Sequence, residues 1–275
     1  MIHLAYPFGT SETEAPLLGL RGDPEAIFPA LREMGYCAIE PFVRDPKRFD
    51  TALFARQVRR FGLEVAAVGT GPVVSDDRLT FTAPDEEIRV AAIRRAMDMV
   101  EFASLFGCQV NIGKLRGEIR KECPEESWNR MREGFEQVCV HARRCGVLVT
   151  LEPQNRSVIN NLNTTREGIA FVREMNLPNL MLMADIYHTH LEDQSLAVGL
   201  IEASKWLRHI HFADSNRRAP GRGSLHFAEI VRILKALCYD RFVTFEIAQG
   251  TDGLREARFA ADHLRFIDAQ TDEGS

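Results

Sequence analysis

The sequence lacks the features that mark several special classes of protein. Its six cysteines contain no C-x-x-C pair and no signal peptide opens the chain, so we expect reduced thiols and a cytoplasmic protein. No apolar run approaches the roughly 18 residues that a membrane span needs. The formal net charge is −5 and Lys and Arg form no block, which predicts neither nucleic-acid nor membrane partners.

What the chain does contain is a regular alternation of short apolar segments and amphipathic helical patterns. Clear helices are predicted from near Asp85 to Gly107, over 164–176 with Thr164 or Thr165 as the cap, and over 224–238 with Ser224 as the cap. Eight segments are predicted as strands: 2–6, 36–42, 63–69, 108–113, 147–153, 180–185, 207–214 and 241–248.

Strands that alternate with helices indicate an α/β protein whose strands run parallel. Eight such units in 275 residues favour one closed (β/α)₈ barrel over the whole chain, with a frayed tail at about 269–275. An open doubly wound sheet is the alternative. It is weakened because the first strand is followed by "YPFGTSE" and not by a glycine-rich phosphate-binding turn.

Four polar side chains fall at the carboxyl ends of consecutive predicted strands. They are Glu152, Asp185, His211 and Glu246. In a barrel these positions face one half of the mouth, where carboxylates held close together would raise one another's pKa. A divalent cation resolves that conflict, and three oxygen donors with one nitrogen favour Mn²⁺, with Mg²⁺, Co²⁺ and Zn²⁺ as alternatives.

Each of these residues also has a simpler interpretation when it is taken alone. A carboxylate at the end of a strand often caps the next helix or pairs with an arginine, and a histidine in an apolar strand is often a core residue. The same holds for His190, for which the sequence suggests no role, and for Lys114, which is typical of a solvated loop. The four residues at successive strand ends are what favours the metal site.

The motifs around these residues resemble those of a known superfamily. "LEPQNR", "ADIYHTH", "HIHFADSNRRAPGRG" and "FEI" are similar to segments of the xylose-isomerase-like barrels, closest to ketose 3-epimerases of the D-tagatose/D-psicose type. The resemblance is strong from about residue 147 to 248 and architectural before that.

The resemblance implies roles for seven residues. It implies a metal site of Glu152, Asp185, His211 and Glu246, with the two glutamates also acting as the catalytic carboxylates. His188 and Arg217 match positions that hold substrate oxygens, and Tyr6 matches an aromatic residue of the sugar pocket. One position departs from the pattern, because Val158 stands where ketose 3-epimerases often have an acid near the reacting carbon.

These residues predict a metal-dependent sugar isomerase or epimerase that removes a proton beside a carbonyl group and forms a cis-enediolate. A dehydratase or lyase acting on a keto-sugar, inosose or dehydroshikimate-like substrate is the main alternative, since Val158 makes the pocket less polar. An apurinic-site endonuclease is less favoured because "VGTGPV" and "NIGKLR" offer no histidine for further metals. We expect a small sugar or keto-polyol as substrate and, from the resemblance, a homodimer or homotetramer.

Overall fold

The computed structural model describes residues 2–272, and its centre is a closed barrel of parallel strands. The barrel closes because the first strand pairs with both the second and the last, with Ala5 opposite Ala38 and His3 opposite Phe242. The predicted (β/α)₈ barrel is therefore confirmed. The strands are β1 (His3–Gly9), β2 (Ala38–Phe42), β3 (Glu64–Val65), β4 (Ala67–Gly69), β5 (Gln109–Ile112), β6 (Val149–Leu151), β7 (Leu180–Asp185), β8 (Leu207–His211) and β9 (Phe242–Thr244).

The third predicted strand, 63–69, is divided in the structure. Its first part, β3, pairs with the start of β2, and its second part, β4, pairs with the end of β2 and with β5. The two parts together fill one position of the barrel wall. Other strands end earlier than predicted, so that Glu152 follows β6 by one residue and Glu246 follows β9 by two.

Helices connect the strands, and two of the three helices whose starts were predicted begin where expected. Asp85 caps α4 by accepting from the backbone N–H of Glu87, and Thr164 forms a capping box with Glu167 at the start of α6. The helices are α1 (Pro24–Glu33), α2 (Thr51–Arg60), α3 (Gly71–Asp77), α4 (Glu86–Ser104), α5 (Pro124–Arg144), α6 (Thr165–Met175), α7 (Ile186–Glu192), α8 (Leu196–Ala203), α9 (Phe227–Ala236) and α10 (Gly253–Asp272).

Two predictions about helix ends are wrong. Ser224 is not a cap: α9 begins at Phe227, because the backbone N–H of Leu225 is held by the carboxylate of Asp214 at 3.0 Å. The expected frayed tail is helical through residue 272, since Thr271 is buried and its hydroxyl accepts from Nζ of Lys235 at 2.7 Å. The rest of that predicted tail, 273–275, lies outside the described residues.

Because all strands are parallel, every loop that follows a strand opens at the same end of the barrel. The core itself is packed between the barrel wall and the surrounding helices, and most of its buried apolar side chains belong to one continuous cluster. Among the described residues, no helix combines the length and the apolar character that crossing a membrane requires. A functional site is therefore expected at the end of the barrel where these loops open.

Two phenylalanines offer a matched test of this packing. Phe135 on α5 is fully buried and meets the rings of Phe81 and Phe171 at centroid distances of 5.7 and 5.2 Å. We expect Phe135→Ala to lower the free energy of unfolding by about 3–5 kcal/mol, as for other large core truncations. Urea denaturation followed by circular dichroism measures this.

Phe266→Ala is the control, because 61% of Phe266 is exposed on α10. We expect its effect to stay within about 0.5 kcal/mol. Equal losses in the two variants would contradict the described core.

Candidate active site

The four predicted ligands, Glu152, Asp185, His211 and Glu246, come together at the carboxyl end of the barrel. One donor atom from each lies within 4.8 Å of the donor atoms of the other three. His211 is the last residue of β8 and Asp185 the last of β7, while the two glutamates stand just beyond β6 and β9. The four residues span 95 positions of the sequence, and the barrel brings them together on neighbouring strands.

His211 stands at the centre of this group. Its Nδ1 lies 3.9 Å from Oε1 of Glu152, 3.9 Å from Oδ2 of Asp185 and 3.5 Å from Oε2 of Glu246. These separations exceed hydrogen-bond length for two of the three carboxylates. The donor atoms therefore surround a common point without being bonded to one another.

Two carboxylates are each held by one oxygen, and the other oxygen of each points toward the shared centre. Oε2 of Glu152 accepts from the side-chain amide of Gln154 at 2.8 Å, and Oε1 has no hydrogen-bond partner among the described residues. Oδ1 of Asp185 accepts from the backbone N–H groups of Tyr187 and His188 at the start of α7. Oδ2 of Asp185 consequently faces the centre.

The imidazole of His211 is held in the same way. Its Nε2 lies 3.0 and 3.1 Å from the two carboxylate oxygens of Glu40, a fully buried residue of β2. Its Nδ1 is buried and has no hydrogen-bond partner among residues 2–272. A buried polar atom left unpaired is unfavourable by about 1–3 kcal/mol, so Nδ1 of His211 and Oε1 of Glu152 call for a further partner between them.

Arg217 supplies a positive charge to the group. Its Nη1 donates to Oδ2 of Asp185 at 2.5 Å and its Nη2 donates to Oε2 of Glu246. The guanidinium also lies 4.9 Å from the centre of the Tyr187 ring, within the range of a cation–π contact. Arg217 thus balances the negative charge of two of the carboxylates.

The loop that carries Arg217 is shaped by Asp214. Arg217 has a left-handed backbone conformation, with φ +60°, and its carbonyl accepts from the N–H of Ala248 at 2.8 Å. Asp214 is fully buried and stabilises this turn through its carboxylate oxygens. These oxygens accept from the backbone N–H groups of Ser215, Gly221, Gly223 and Leu225.

The charged groups of the site strongly shift one another's pKa. Burial raises the pKa of Glu152, and the nearby charge of Glu246 adds to this, giving about 8. Burial would also raise the pKa of Asp185, but Arg217 and the imidazoles of His188 and His211 outweigh it and hold the pKa well below its usual range. Without a cation, Glu152 therefore keeps its proton at neutral pH while Asp185 is ionised.

His211 behaves in the opposite sense to an ordinary buried histidine. Burial would lower its pKa, but the charges of Glu40 and Glu246 and the hydrogen bonding to Glu40 outweigh that effect and hold the pKa well above its usual range. Burial would raise the pKa of Glu40, but the nearby imidazoles of His211 and His209 outweigh burial and hold the pKa of Glu40 well below its usual value.

His188 faces the cavity as a neutral group. Burial lowers its pKa to about 4. Its Nδ1 lies 2.7 Å from Nδ2 of Asn155, whose Oδ1 accepts from the backbone N–H of Ser157. Asn155 therefore donates to Nδ1, and Nε2 of His188 carries the proton. That N–H is a fixed donor beside Asp185, at 3.9 Å from its Oδ2.

A cavity of about 300 Å³ lies beside the site, and the remaining residues singled out from the sequence differ in whether they line it. Lys114 and Val158 both lie in its wall. His190, for which no role was predicted, is exposed on α7. The cavity-lining residues from the predicted set are Glu152, His188, His211, Arg217 and Glu246.

Tyr6 does not belong to this wall. β1 continues three residues beyond the predicted end, to Gly9, so Tyr6 lies within the strand and not at its mouth. It is fully buried, packs edge-to-face against Tyr36 and donates its hydroxyl hydrogen to Gln249 at 3.2 Å. The expectation that Tyr6 lines the sugar pocket is therefore not met among the described residues.

The sequence reasoning missed Glu40, which lies inside the barrel and not at a strand end. A signal was present, because Glu40 is a charged residue within the apolar strand "AIEPF". His209 and His211 are two residues apart on β8, so both point to the same side, and both contact Glu40. Only the pairing of distant strands reveals that contact.

The donor set is suited to a divalent cation. Three carboxylates and one imidazole nitrogen, with no thiolate, match oxygen-preferring metals such as Mn²⁺ and Mg²⁺. The unpaired Nδ1 of His211 and Oε1 of Glu152 are the atoms that such an ion would satisfy. A candidate metal-binding cluster is thus present, as predicted.

Comparison with known proteins identifies sugar 3-epimerases that are similar to most of this chain. The chain is similar to an L-ribulose 3-epimerase of Methylomonas sp. (strain DH-1), with 31% identity over 230 residues that cover 82% of this chain and 78% of the relative. It is also similar to a D-psicose 3-epimerase of Ruminiclostridium cellulolyticum, with 29% identity covering 73% of this chain and 76% of the relative.

A solved structure of an L-ribulose 3-epimerase has the same fold, with a TM-score of 0.83 at 22% identity over 99% of this chain and 96% of that one. Residues 28–268 match the family described as the xylose isomerase-like TIM barrel. The predicted resemblance and the predicted isomerase class are both confirmed by these relatives. The chain is a member of the xylose isomerase-like TIM-barrel family.

Proposed function

We propose that this protein is a divalent-metal-dependent sugar epimerase that inverts a carbon next to a ketose carbonyl group. The observation that carries the proposal is the grouping of Glu152, Asp185 and Glu246 around Nδ1 of His211 at the mouth of the barrel. Relatives named as L-ribulose and D-psicose 3-epimerases support the same reaction class.

Glu152, Asp185, His211 and Glu246 would hold the metal, for which we propose Mn²⁺. A bound divalent ion supplies Lewis-acid stabilisation of the negative charge that develops on the substrate's oxygen atoms. The remaining work falls to the protein's own side chains.

Glu152 and Glu246 are the groups that move the proton. They stand after β6 and β9, on either side of the two central ligands in the barrel order. One carboxylate removes the proton from the carbon beside the carbonyl group, and the other returns a proton to the opposite face, which inverts the carbon. Burial in the cavity wall makes the ionised Glu152 a stronger base than a solvated carboxylate.

His188 and Arg217 orient the substrate. The Nε2–H of His188 is a fixed hydrogen-bond donor for a substrate oxygen because Asn155 occupies the other ring nitrogen. Arg217 remains charged at any pH that the protein experiences and can donate to the oxygens that become negative during the reaction. Its cation–π contact with Tyr187 limits how far the guanidinium can move.

Val158 bears on the choice of substrate. It lies in the wall between the 300 Å³ cavity and a neighbouring cavity of about 430 Å³, and Lys114 lines both. An aliphatic group there provides no hydrogen bond to a sugar hydroxyl. This observation favours keeping the lyase, which expels a leaving group after the same proton removal, as the second candidate.

Substitution of the two glutamates tests their role. Glutamine keeps the shape and one oxygen of the side chain but does not accept the carbon-bound proton. We expect Glu152→Gln and Glu246→Gln each to lower kcat by about 10²–10⁴. Metal content is measured alongside, so that a loss of turnover is separated from a loss of the ion.

Glu202→Gln is the control for these variants, because Glu202 lies on α8 away from the cavity and pairs with Arg166. Its activity should match that of the unaltered protein. Near-normal activity in either site variant would remove that glutamate from the proton transfer.

Metal binding should be coupled to proton release. Because the pKa of Glu152 is raised to about 8 in the metal-free site, its proton competes with the ion below that pH. We expect the apparent affinity for Mn²⁺ to increase as the pH rises from about 6 to about 8. Isothermal titration in buffers of different ionisation enthalpy counts the released protons, and binding without any release near pH 6 would contradict the described electrostatics.

The reaction itself is tested by NMR in D₂O with a panel of ketoses, inososes and keto-acids. Epimerisation gives a product with deuterium at one carbon beside the carbonyl group and no other change in composition. A product lighter by one water would establish the lyase instead. No proton exchange with any member of the panel, in metal-loaded protein, would overturn the proposed chemistry.

A further inference from the structure

Glu40 is a fully buried carboxylate directly beneath the candidate metal centre, and the proposed reaction assigns it no role. It contacts three side chains inside the barrel. His209 lies 2.7 Å from its Oε2, His211 lies 3.0 Å from the same oxygen, and Nδ2 of Asn111 donates to Oε1 at 2.8 Å. A buried carboxylate is strongly unfavourable unless it is paired, so these contacts are what stabilise an ionised Glu40 inside the barrel.

Glu40, His209 and His211 could also be read as the ligands of a second ion, because their donor atoms lie within 4.8 Å of one another. The distances argue against it. Ligands about 2.1 Å from a tetrahedral ion lie about 3.4 Å apart. The 2.7 Å between Nε2 of His209 and Oε2 of Glu40 is the length of a charge-assisted hydrogen bond.

The hydrogen bonds around Glu40 fix which atoms donate. Asn111 receives the hydroxyl hydrogen of Thr150 on its Oδ1, so its Nδ2 is the atom turned toward Glu40. An ionised carboxylate only accepts hydrogen bonds, so both imidazoles must present Nε2–H to it. In the neutral ring that a metal ligand requires, this leaves Nδ1 of His211 with a lone pair directed at the three other ligands.

We propose that Glu40 is a positioning residue that holds His211 in the tautomer and orientation in which Nδ1 is the metal ligand. This inference rests on the proposed metal site. A carboxylate that accepts from the second nitrogen of a ligating histidine fixes the ring and makes the ligand more basic. Glu40 does this from β2, across the barrel from β8, so the closure of the barrel is part of the metal site.

Glu40→Gln is the sharpest test because Asn111 dictates how the new amide must lie. The N–H of Asn111 requires an oxygen at the Oε1 position, which places the amide NH₂ where Oε2 now faces the imidazoles. The nearer acceptor of Nε2 of His211, at 3.0 Å, thereby becomes a donor, and only the oxygen at 3.1 Å remains to accept from that nitrogen. The variant keeps the volume of the side chain while favouring the tautomer with the proton on Nδ1.

Two measurements follow the change. We expect the dissociation constant for Mn²⁺, from isothermal titration, to increase about 10- to 100-fold in Glu40→Gln. In protein labelled with ¹⁵N-histidine and loaded with diamagnetic Zn²⁺, His211 of the unaltered protein should carry its proton on Nε2. The tautomer is a readout that a purely structural role of Glu40 would leave unchanged, and the melting temperature of the metal-free proteins reports on folding.

His209→Asn is the matched control. It removes the other imidazole from Glu40 while leaving the contact between Glu40 and His211 in place. We expect its affinity for Mn²⁺ to stay within about threefold of the unaltered protein. A loss as large as that of Glu40→Gln would show that any disturbance of this buried cluster has the same effect, and would overturn the positioning role.

Glu40→Asp covers the case in which glutamine prevents folding. It retains the charge and the acceptor atoms at shorter reach, so metal binding should weaken measurably but less than in Glu40→Gln. Unchanged affinity and unchanged tautomer in the Glu40 variants would overturn this inference alone.

The metal stoichiometry of the unaltered protein separates the remaining outcomes. One ion per chain is expected. Two ions per chain would make Glu40 a ligand and overturn the positioning role. No bound ion would overturn the metal site of the proposed function, and this inference with it.

Discussion

The crowding of negative charge at one end of the barrel is the constraint on which the site depends. Glu152, Asp185 and Glu246 surround a single imidazole in a largely buried place. Such a group is stable only if protons, a guanidinium or a metal ion balance it. In the structure Arg217 contacts two of the carboxylates and burial favours a proton on the third, and a divalent ion would take over much of this balance.

The protein prepares this site by anchoring three of the four candidate ligands. Gln154 holds Glu152, the first turn of α7 holds Asp185, and Glu40 holds His211. Each anchor uses one polar atom of its ligand and leaves the other directed at the centre. Ligands that are fixed in this way lose little further freedom when an ion binds, which is the physical meaning of a preorganised site.

The surrounding groups set what the site can do to a substrate. His188 is neutral and can donate only from Nε2, whereas Arg217 is always charged and sits on a loop that Asp214 stabilises through four backbone hydrogen bonds. Val158 and Lys114 lie farther along the wall, where the cavity meets its neighbour. Val158 lies on the same segment between β6 and α6 as Glu152, so the candidate metal centre and this part of the wall share a loop.

The sequence alone determined the barrel, most of its strands and helices, and the four candidate ligands. Those conclusions depend on local patterns: apolar runs, caps such as Asp85 and Thr164, and polar residues at strand ends. Strand length was less certain, because pairing with neighbours decides where a strand stops. For this reason β1 ran past Tyr6 and β9 ended before Glu246.

Only the tertiary structure decided which nitrogen of each histidine is free, and what lies behind the ligands. Glu40 and His211 are 171 positions apart, and their hydrogen bond exists because β2 and β8 face each other across a closed barrel. No periodicity or motif encodes a contact between side chains so distant in the chain. The sequence supplied the ligands, and barrel closure oriented them, because interior side chains meet only when the strands have paired.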